Sequence, residues 1–384
     1  MKKIKDIYKR LFVGVFTLIV SQLTYSQASD SIEVSLITCA PGTEVYSLYG
    51  HTAIRFHDFR TGEDLAFNYG VFNFKKPFFS LRFLFGLTDY ELGVYPYRYF
   101  AEEYRRRGSQ VTEQVINMTT EEKAALYKAL AVNYQPENRE YRYNCFYDNC
   151  TTRARDMIVG NIRGKMKYIS GQQEQTFREL IHQYNEKYPW ARFGVDICLG
   201  LTADFTTSAN QHQFMPDYMM IDAEKAQIVS DGLFRPFVKE SRNAVVPGVQ
   251  VVEQPFPLTP GECASILLLL SVTMMVVEIR RKKIFRIWDT ILMVLSGIAG
   301  IFILALFFSL HPTTSTNLQI LLLNPLPLFF IFRLWRKPQD KLFWKISLVL
   351  IILFFIGGTL QNYAEGMTLV AAALLTRCIT HLKL

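Results

Sequence analysis

The stretch Tyr49-Gly50-His51-Thr52-Ala53-Ile54-Arg55-Phe56 alternates in character residue by residue and reads as a strand. His51 stands near its start, after a glycine that lets a neighbouring backbone approach closely. About a hundred residues later, Tyr147-Asp148-Asn149-Cys150-Thr151-Thr152-Arg153 places a cysteine where a helix begins. A thiol at a helix N-terminus gains thiolate character from the helix dipole, and a nearby imidazole can take its proton. A strand histidine followed by a helix cysteine sets the expectation for fold and chemistry together.

The neighbours of Cys150 separate it from a core thiol. Asp148, Asn149, Thr151, Thr152 and Arg153 are polar, whereas Cys198 lies between Ile197 and Leu199. Cys145 is five residues before Cys150, a spacing that suits neither a Cys-x-x-Cys redox pair nor a zinc ribbon. No set of three or four zinc ligands is visible in the sequence, so no metal is expected. A structural disulfide involving Cys39 is compatible with an exported domain.

Among the histidines before the membrane part, His182 reads as helix surface and His212 as part of a Gln-rich turn. His57 shares a face with His51 but lies about two nanometres further along at 3.3 Å per residue. That leaves His51 as the base. Its second nitrogen needs a polar partner. The turn Arg60-Thr61-Gly62-Glu63-Asp64 folds the next strand, 65–74, back beside it, so Asn68 and Asn73 are the candidates and Asn68 is favoured. Backbone N–H groups at the helix start or the Asn149 side chain are candidates for holding an oxyanion. Arg153 either steers a donor phosphate or pairs with Asp148 or Asp156, and Tyr49 is a further substrate-binding candidate.

Around these segments the chain divides readily. Met1 to about Ala28 has Lys2, Lys3, Lys5, Lys9 and Arg10, then an apolar run and small residues, which is the pattern of a signal peptide. A domain of 29–165 follows, with strands near 31–38 and 110–118 and a helix opened by the capping box Thr119/Glu122. Residues 75–100 are dense in aromatics with Lys75, Lys76 and Arg82 interleaved; they either fill core or dip into lipid headgroups. A mostly helical extension, 166–245, is expected to break at Pro189, Pro216 and Pro236, and the proline-rich 246–262 reads as a linker.

The remainder, 263–384, carries apolar segments near 264–277, 291–310, 318–334, 342–360 and 367–375. The last is short and the third contains Asn324, Pro325 and Pro327, so four or five spans are expected. Arg280, Arg281, Lys282, Lys283 and Arg286 fill the first connection, and Arg336, Lys337, Lys341 and Lys345 the third. The second and fourth connections hold no Lys or Arg. The basic loops therefore face the cytoplasm, leaving 29–260 in the periplasm of a multi-pass inner-membrane protein. The formal net charge of +8 reports this orientation, not a nucleic-acid partner.

Four runs carry a family resemblance: Thr38 to Arg55, Asn68 to Phe72, Pro136 to Asn144 and Tyr147 to Arg153. They resemble the N-terminal periplasmic domain of Lnb-type lipoprotein N-acyltransferases, and the multi-span tail with Asn324-Pro325-Leu326 is similar too. More distantly, the order of His and Cys resembles the permuted papain-like fold of lecithin:retinol acyltransferase relatives. The resemblance implies an α+β permuted papain-like exported domain ahead of an α-helical transmembrane bundle. It also implies a Cys150 nucleophile and a His51 base. The implied reaction takes an acyl group from a phospholipid, or from a lipoprotein glyceryl ester, to the N-terminal amine of diacylated lipoproteins, without a cofactor. Cys145 stands where relatives of that family are expected to have an aromatic residue, and a Cys145–Cys150 disulfide would silence the thiol. A papain-like cell-wall peptidase and a non-enzymatic envelope scaffold are the other classes the sequence leaves open.

Overall fold

A computed structural model gives the fold and describes residues 31–72, 77–169, 174–208, 210–251 and 256–384. The expected signal peptide, Asn73, Lys75 and Lys76 lie outside these residues.

The exported part is built on one antiparallel sheet. Strand β1 (Ile32–Cys39) pairs with β2 (His51–Asp58), which turns back into β3 (Glu63–Val71). A short helix α1 (Phe79–Leu84) precedes β4 (Asp89–Pro96), and α2 (Tyr97–Arg107) precedes β5 (Val111–Ile116). Helix α3 (Thr120–Asn133) starts at the expected capping box, with Thr119 Oγ1 accepting from the Glu122 N–H and Glu122 accepting from the Thr119 N–H. Strand β6 (Glu140–Arg142), helix α4 (Cys150–Val159) and β7 (Lys165–Lys167) follow.

The aromatic run expected to fill core or to meet lipid holds α1, β4 and the start of α2. One expectation gives way beyond it. Residues 175–245 are helical only in their first two thirds: α5 (Phe177–Asn185), α6 (Pro189–Cys198) and α7 (Pro216–Lys225). Pro189 and Pro216 open helices, since a first-turn N–H has no intrahelical acceptor and proline's lack of one costs nothing there. Beyond them come β8 (Gln227–Ser230), β9 (Leu233–Pro236) and β10 (Val238–Val245). Strand β10 joins the main sheet, whose order is β10-β5-β1-β2-β3-β4-β6, while β7, β8 and β9 form a small second sheet.

Period-2 alternation fills both faces of the main sheet. Ile37, Cys39, Ala53, Ala66 and Val111 pack under Tyr97, Phe100 and Tyr104 of α2. Val34, Leu36, Ile54, Phe56 and Phe67 face the other way, under Leu126 and Leu130 of α3, Ala154 and Ile158 of α4, and Met219 of α7. Each Val, Leu, Ile, Phe or Met side chain among them contributes about 1.5–3 kcal/mol of burial free energy.

The C-terminal part is helical: α8 (Pro260–Arg281), α9 (Arg286–Leu306), α10 (Leu326–Arg336), α11 (Leu342–Gly357) and α12 (Met367–Lys383). Among the described residues, three segments are long and apolar enough to cross a membrane: α8, α9, and Leu318–Arg336, which runs from a 3-10 turn at Leu318–Leu321 into α10. Helix α11 is a shorter apolar helix. The break at Asn324 packs against Gly300 of α9, where any side chain would collide with the Asn324 backbone. Helices α8 and α12 overrun the apolar segments at 264–277 and 367–375 because Arg377 pairs with both Glu278 and Asp289, with His381 on Asp289 as well. All four are buried, and pairing is what makes them tolerable there.

The two connections without Lys or Arg carry the exported domain. Thr313 and Thr316 accept from the N–H groups of Gly200 and Leu201, and Asn317 donates to the Ile197 carbonyl. Gln361 donates to Leu199, and Asn362 to Asp204. The Phe85 carbonyl accepts from the Leu310 N–H, and Phe83 from His311. The loop ends assigned outward by charge are the ends on which this domain rests.

Candidate active site

Helix α4 begins at Cys150 because Asn149 caps it. Asn149 Oδ1 accepts from the N–H groups of Thr151 (2.9 Å) and Thr152 (3.0 Å), and Thr152 Oγ1 accepts from the Asn149 N–H. The Asn149 amide donates to the carbonyls of Cys145 (2.8 Å) and Phe214 (2.9 Å). Every hydrogen-bonding position of this side chain is taken, so Asn149 has no donor for an oxyanion. The cap leaves the Cys150 N–H itself as one of the orphan first-turn donors.

His51 arrives from the sheet. Its ring lies beside Phe100, on the α2 side, whereas Cys150 packs against the opposite core. The two come together beside Gly70, on the neighbouring strand β3. A Cβ at position 70 would lie 3.6 Å from Cys150 Cβ, 3.8 Å from His51 Cε1 and 4.0 Å from Tyr141 Oη. The strand bulges between Asn68 and Val71, and Gly70 takes φ = +91°, a conformation that favours glycine.

His51 Nε2 donates to Asn68 Oδ1 at 2.5 Å, and the Asn68 amide donates to the Tyr95 hydroxyl at 2.5 Å. This leaves Nδ1 for the thiol. Burial pushes the Cys150 thiol up, but the charge and hydrogen bond of His51, the Thr52 N–H and the Thr151 hydroxyl outweigh it and bring the pKa down to about 7. Burial alone would lower the His51 imidazole; Cys150 and Asn68 reverse this and raise it above its ordinary value. Both shifts are in the direction that favours a thiolate beside an imidazolium.

The other expected residues are engaged elsewhere. Arg153 forms a two-point pair with Asp148 (2.6 and 2.8 Å), one of the alternatives the sequence offered, and stacks on the Tyr141 ring. Tyr49 packs on Tyr184 and accepts from Asn185, so its hydroxyl belongs to the contact with α5. His182 is not plain surface: it bonds Asp196 at 2.9 Å. Among the described residues all six cysteines are free thiols, so neither a Cys39 disulfide nor a Cys145–Cys150 disulfide is formed. Cys39 is instead a buried core residue opposite His51.

The sequence reading missed Gly70 and Tyr141. Gly70 lies inside a quoted motif, and its place on the strand beside His51 follows from the hairpin. Tyr141 lies inside another, Pro136 to Asn144, but is one tyrosine among several there.

Two family models match the chain: the Lnb N-terminal periplasmic domain over residues 21–183, and the Lnb transmembrane domain over residues 252–384. No curated protein and no solved structure matches it. The order of the two domains fits a multi-pass inner-membrane protein with a periplasmic segment, and the chain belongs to the Lnb family.

Proposed function

We propose that this protein is a membrane-anchored cysteine acyltransferase acting on lipoproteins. The Lnb domains are those of a membrane-anchored, lipoprotein-modifying enzyme. The finer reading rests on one observation: a thiol at a helix start beside an imidazole that an amide holds on its far side. Cysteine, histidine and asparagine in these roles are the constellation of papain-like enzymes, and the sheet and helix that present them fit a permuted version of that fold.

The reaction runs in two halves. Cys150 Sγ attacks the carbonyl carbon of a phospholipid fatty-acyl ester while His51 Nδ1 holds the thiol proton. The tetrahedral adduct collapses, the C–O bond breaks, and the lysophospholipid oxygen takes the proton from His51. The free α-amine of a diacylglyceryl-modified N-terminal cysteine then attacks the thioester. His51 takes one proton from that nitrogen, the C–S bond breaks, and the thiol reforms. An amide is more stable than a thioester, which drives the second half. Asn68 holds the ring throughout, so that Nδ1 faces sulfur.

Position supports a lipid donor over a wall peptide. Helix α1 hangs on the outward loop after α9, and Phe78 (77% exposed) and Phe308 (73% exposed) lie on these two elements. Apolar side chains at that level suit the headgroup region of the outer leaflet.

The test is mass spectrometry of the N-terminal lipopeptide of an abundant lipoprotein from cells carrying wild type or Cys150→Ala. Loss of the N-linked acyl group in the variant is the expected result. Unchanged lipopeptides in cells with no other source of that group would sink the proposal.

A further inference from the structure

Tyr141 is 6% exposed, and its hydroxyl has no hydrogen-bond partner among the described residues. A buried polar group left unpaired calls for a use. The ring is held firmly. It pairs with Tyr90 across β4 and β6, meets Tyr69 edge-on, and lies under the Arg153 guanidinium at 3.7 Å. Asp148 in turn fixes Arg153. All this brings the hydroxyl to 4.0 Å from the point a Gly70 Cβ would occupy, a point that Cys150 (3.6 Å) and His51 (3.8 Å) also border.

A carbonyl attacked by Cys150 needs donors for the oxygen that becomes negative. The Cys150 N–H is one. Asn149 and Arg153, the obvious side chains by sequence, are committed to other partners. We propose that the Tyr141 hydroxyl is the second oxyanion donor, hydrogen-bonding the acyl oxygen of a fatty-acyl ester as the Sγ–C bond forms. This rests on the reading of Cys150 as an acyl nucleophile. When sulfur attacks, the carbonyl π pair moves onto oxygen and accepts from Tyr141. When the pair returns, the ester C–O bond breaks and the leaving oxygen takes its proton from His51. Tyr141 keeps its own proton throughout: burial above all, with the Cys150 charge beside it, holds its pKa well above the ordinary tyrosine value.

The experiment compares full-length wild type with Tyr141→Phe, a variant that removes only the unpaired oxygen. Three rates are measured on Cys150: alkylation by iodoacetamide, acylation by p-nitrophenyl butyrate, and acylation by a phospholipid in mixed micelles. Alkylation at a saturated carbon forms no oxyanion; both acylations do. The expected result is alkylation at the wild-type rate with both acylations slowed roughly a hundredfold, the scale for one lost oxyanion donor. Acylation by the nitrophenyl ester at the wild-type rate would overturn the role of Tyr141 and leave the proposed function standing. Alkylation falling in step with acylation would also overturn it, since Tyr141 would then act on the thiol or the fold. If wild type takes the nitrophenyl ester but no phospholipid, the donor reading fails, and the nitrophenyl comparison still decides Tyr141. A wild type silent to both esters overturns both.

Discussion

His51 and Asn68 lie on adjacent strands with Nε2 and Oδ1 2.5 Å apart, and this contact decides which nitrogen the thiol meets. Pairing of Ile54 with Phe67 and of Phe56 with Leu65 puts Asn68 diagonal to His51 on the same face. The turn at 59–62 fixes that register, so the tautomer of the candidate base is a consequence of hairpin length. Replacing Asn68 with Ala frees the ring to rotate. The expected outcome is an acyl-transfer kcat lower by about 10–100-fold, in line with loss of an imidazole's orienting partner elsewhere, at little change in KM. An unaltered kcat would mean that Asn68 does not orient the base.

The pH dependence of the thiol follows from His51. A lowered pKa means thiolate at lower pH, so alkylation of wild-type Cys150 is expected to rise with a midpoint near 7, against an ordinary value of 9.0. In His51→Ala the leading stabilisers of the thiolate are gone while burial and the Thr52 and Thr151 hydrogen bonds remain, so the midpoint moves back up toward the ordinary range. At pH 7 the alkylation rate should fall by up to roughly fiftyfold, as the thiolate fraction drops from about half toward about one per cent. A midpoint that stays put in the variant would detach the histidine from the thiol.

Most of this site was legible in the sequence because its parts carry local signals. A polar-flanked cysteine at a helix start, a histidine on an alternating strand and the Thr119/Glu122 box each announce themselves within a few residues. What stayed hidden depends on contacts distant in sequence. Helix α2 begins within a run of aromatics whose spacing fits core and lipid alike. Strand β10 has charged and polar residues from Lys239 to Asn243, which suit an edge strand that pairs on one side only and do not read as a sheet member. Asn149 looks like a free amide until the Phe214 carbonyl, 65 residues away, is seen to take one of its protons. Arg377 seems to end a membrane span until Glu278 and Asp289 are placed beside it.

Gly70 gives a third prediction. Gly70→Ala puts a methyl group where Cys150, His51 and Tyr141 converge, in a backbone conformation with φ of +91°. The contacts are ordinary van der Waals distances, so the fold survives; strain costs about 1–2 kcal/mol and lowers the melting temperature by a few °C. Acylation should slow far more than alkylation by a small reagent, because the methyl occupies the space of the acyl oxygen and not the path to sulfur. Equal slowing of the two rates would show that the space over Gly70 is not where the carbonyl sits.

The membrane bundle offers a test of how buried charge is tolerated. Arg377 on α12 bridges Glu278 on α8 and Asp289 on α9, and none of the three meets solvent to any extent. Removing the cation in Arg377→Leu leaves Glu278 without its partner and Asp289 with His381 alone in an apolar interior, and breaking such a network costs about 3–5 kcal/mol. Thermal unfolding in detergent should show a clearly lower midpoint. The triple variant Glu278→Gln, Asp289→Asn, Arg377→Met removes all three charges together and should recover most of that loss, because the penalty comes from uncompensated charge and the helices keep their packing. A triple variant as unstable as the single one would mean that the guanidinium's own hydrogen bonds hold α8, α9 and α12 together.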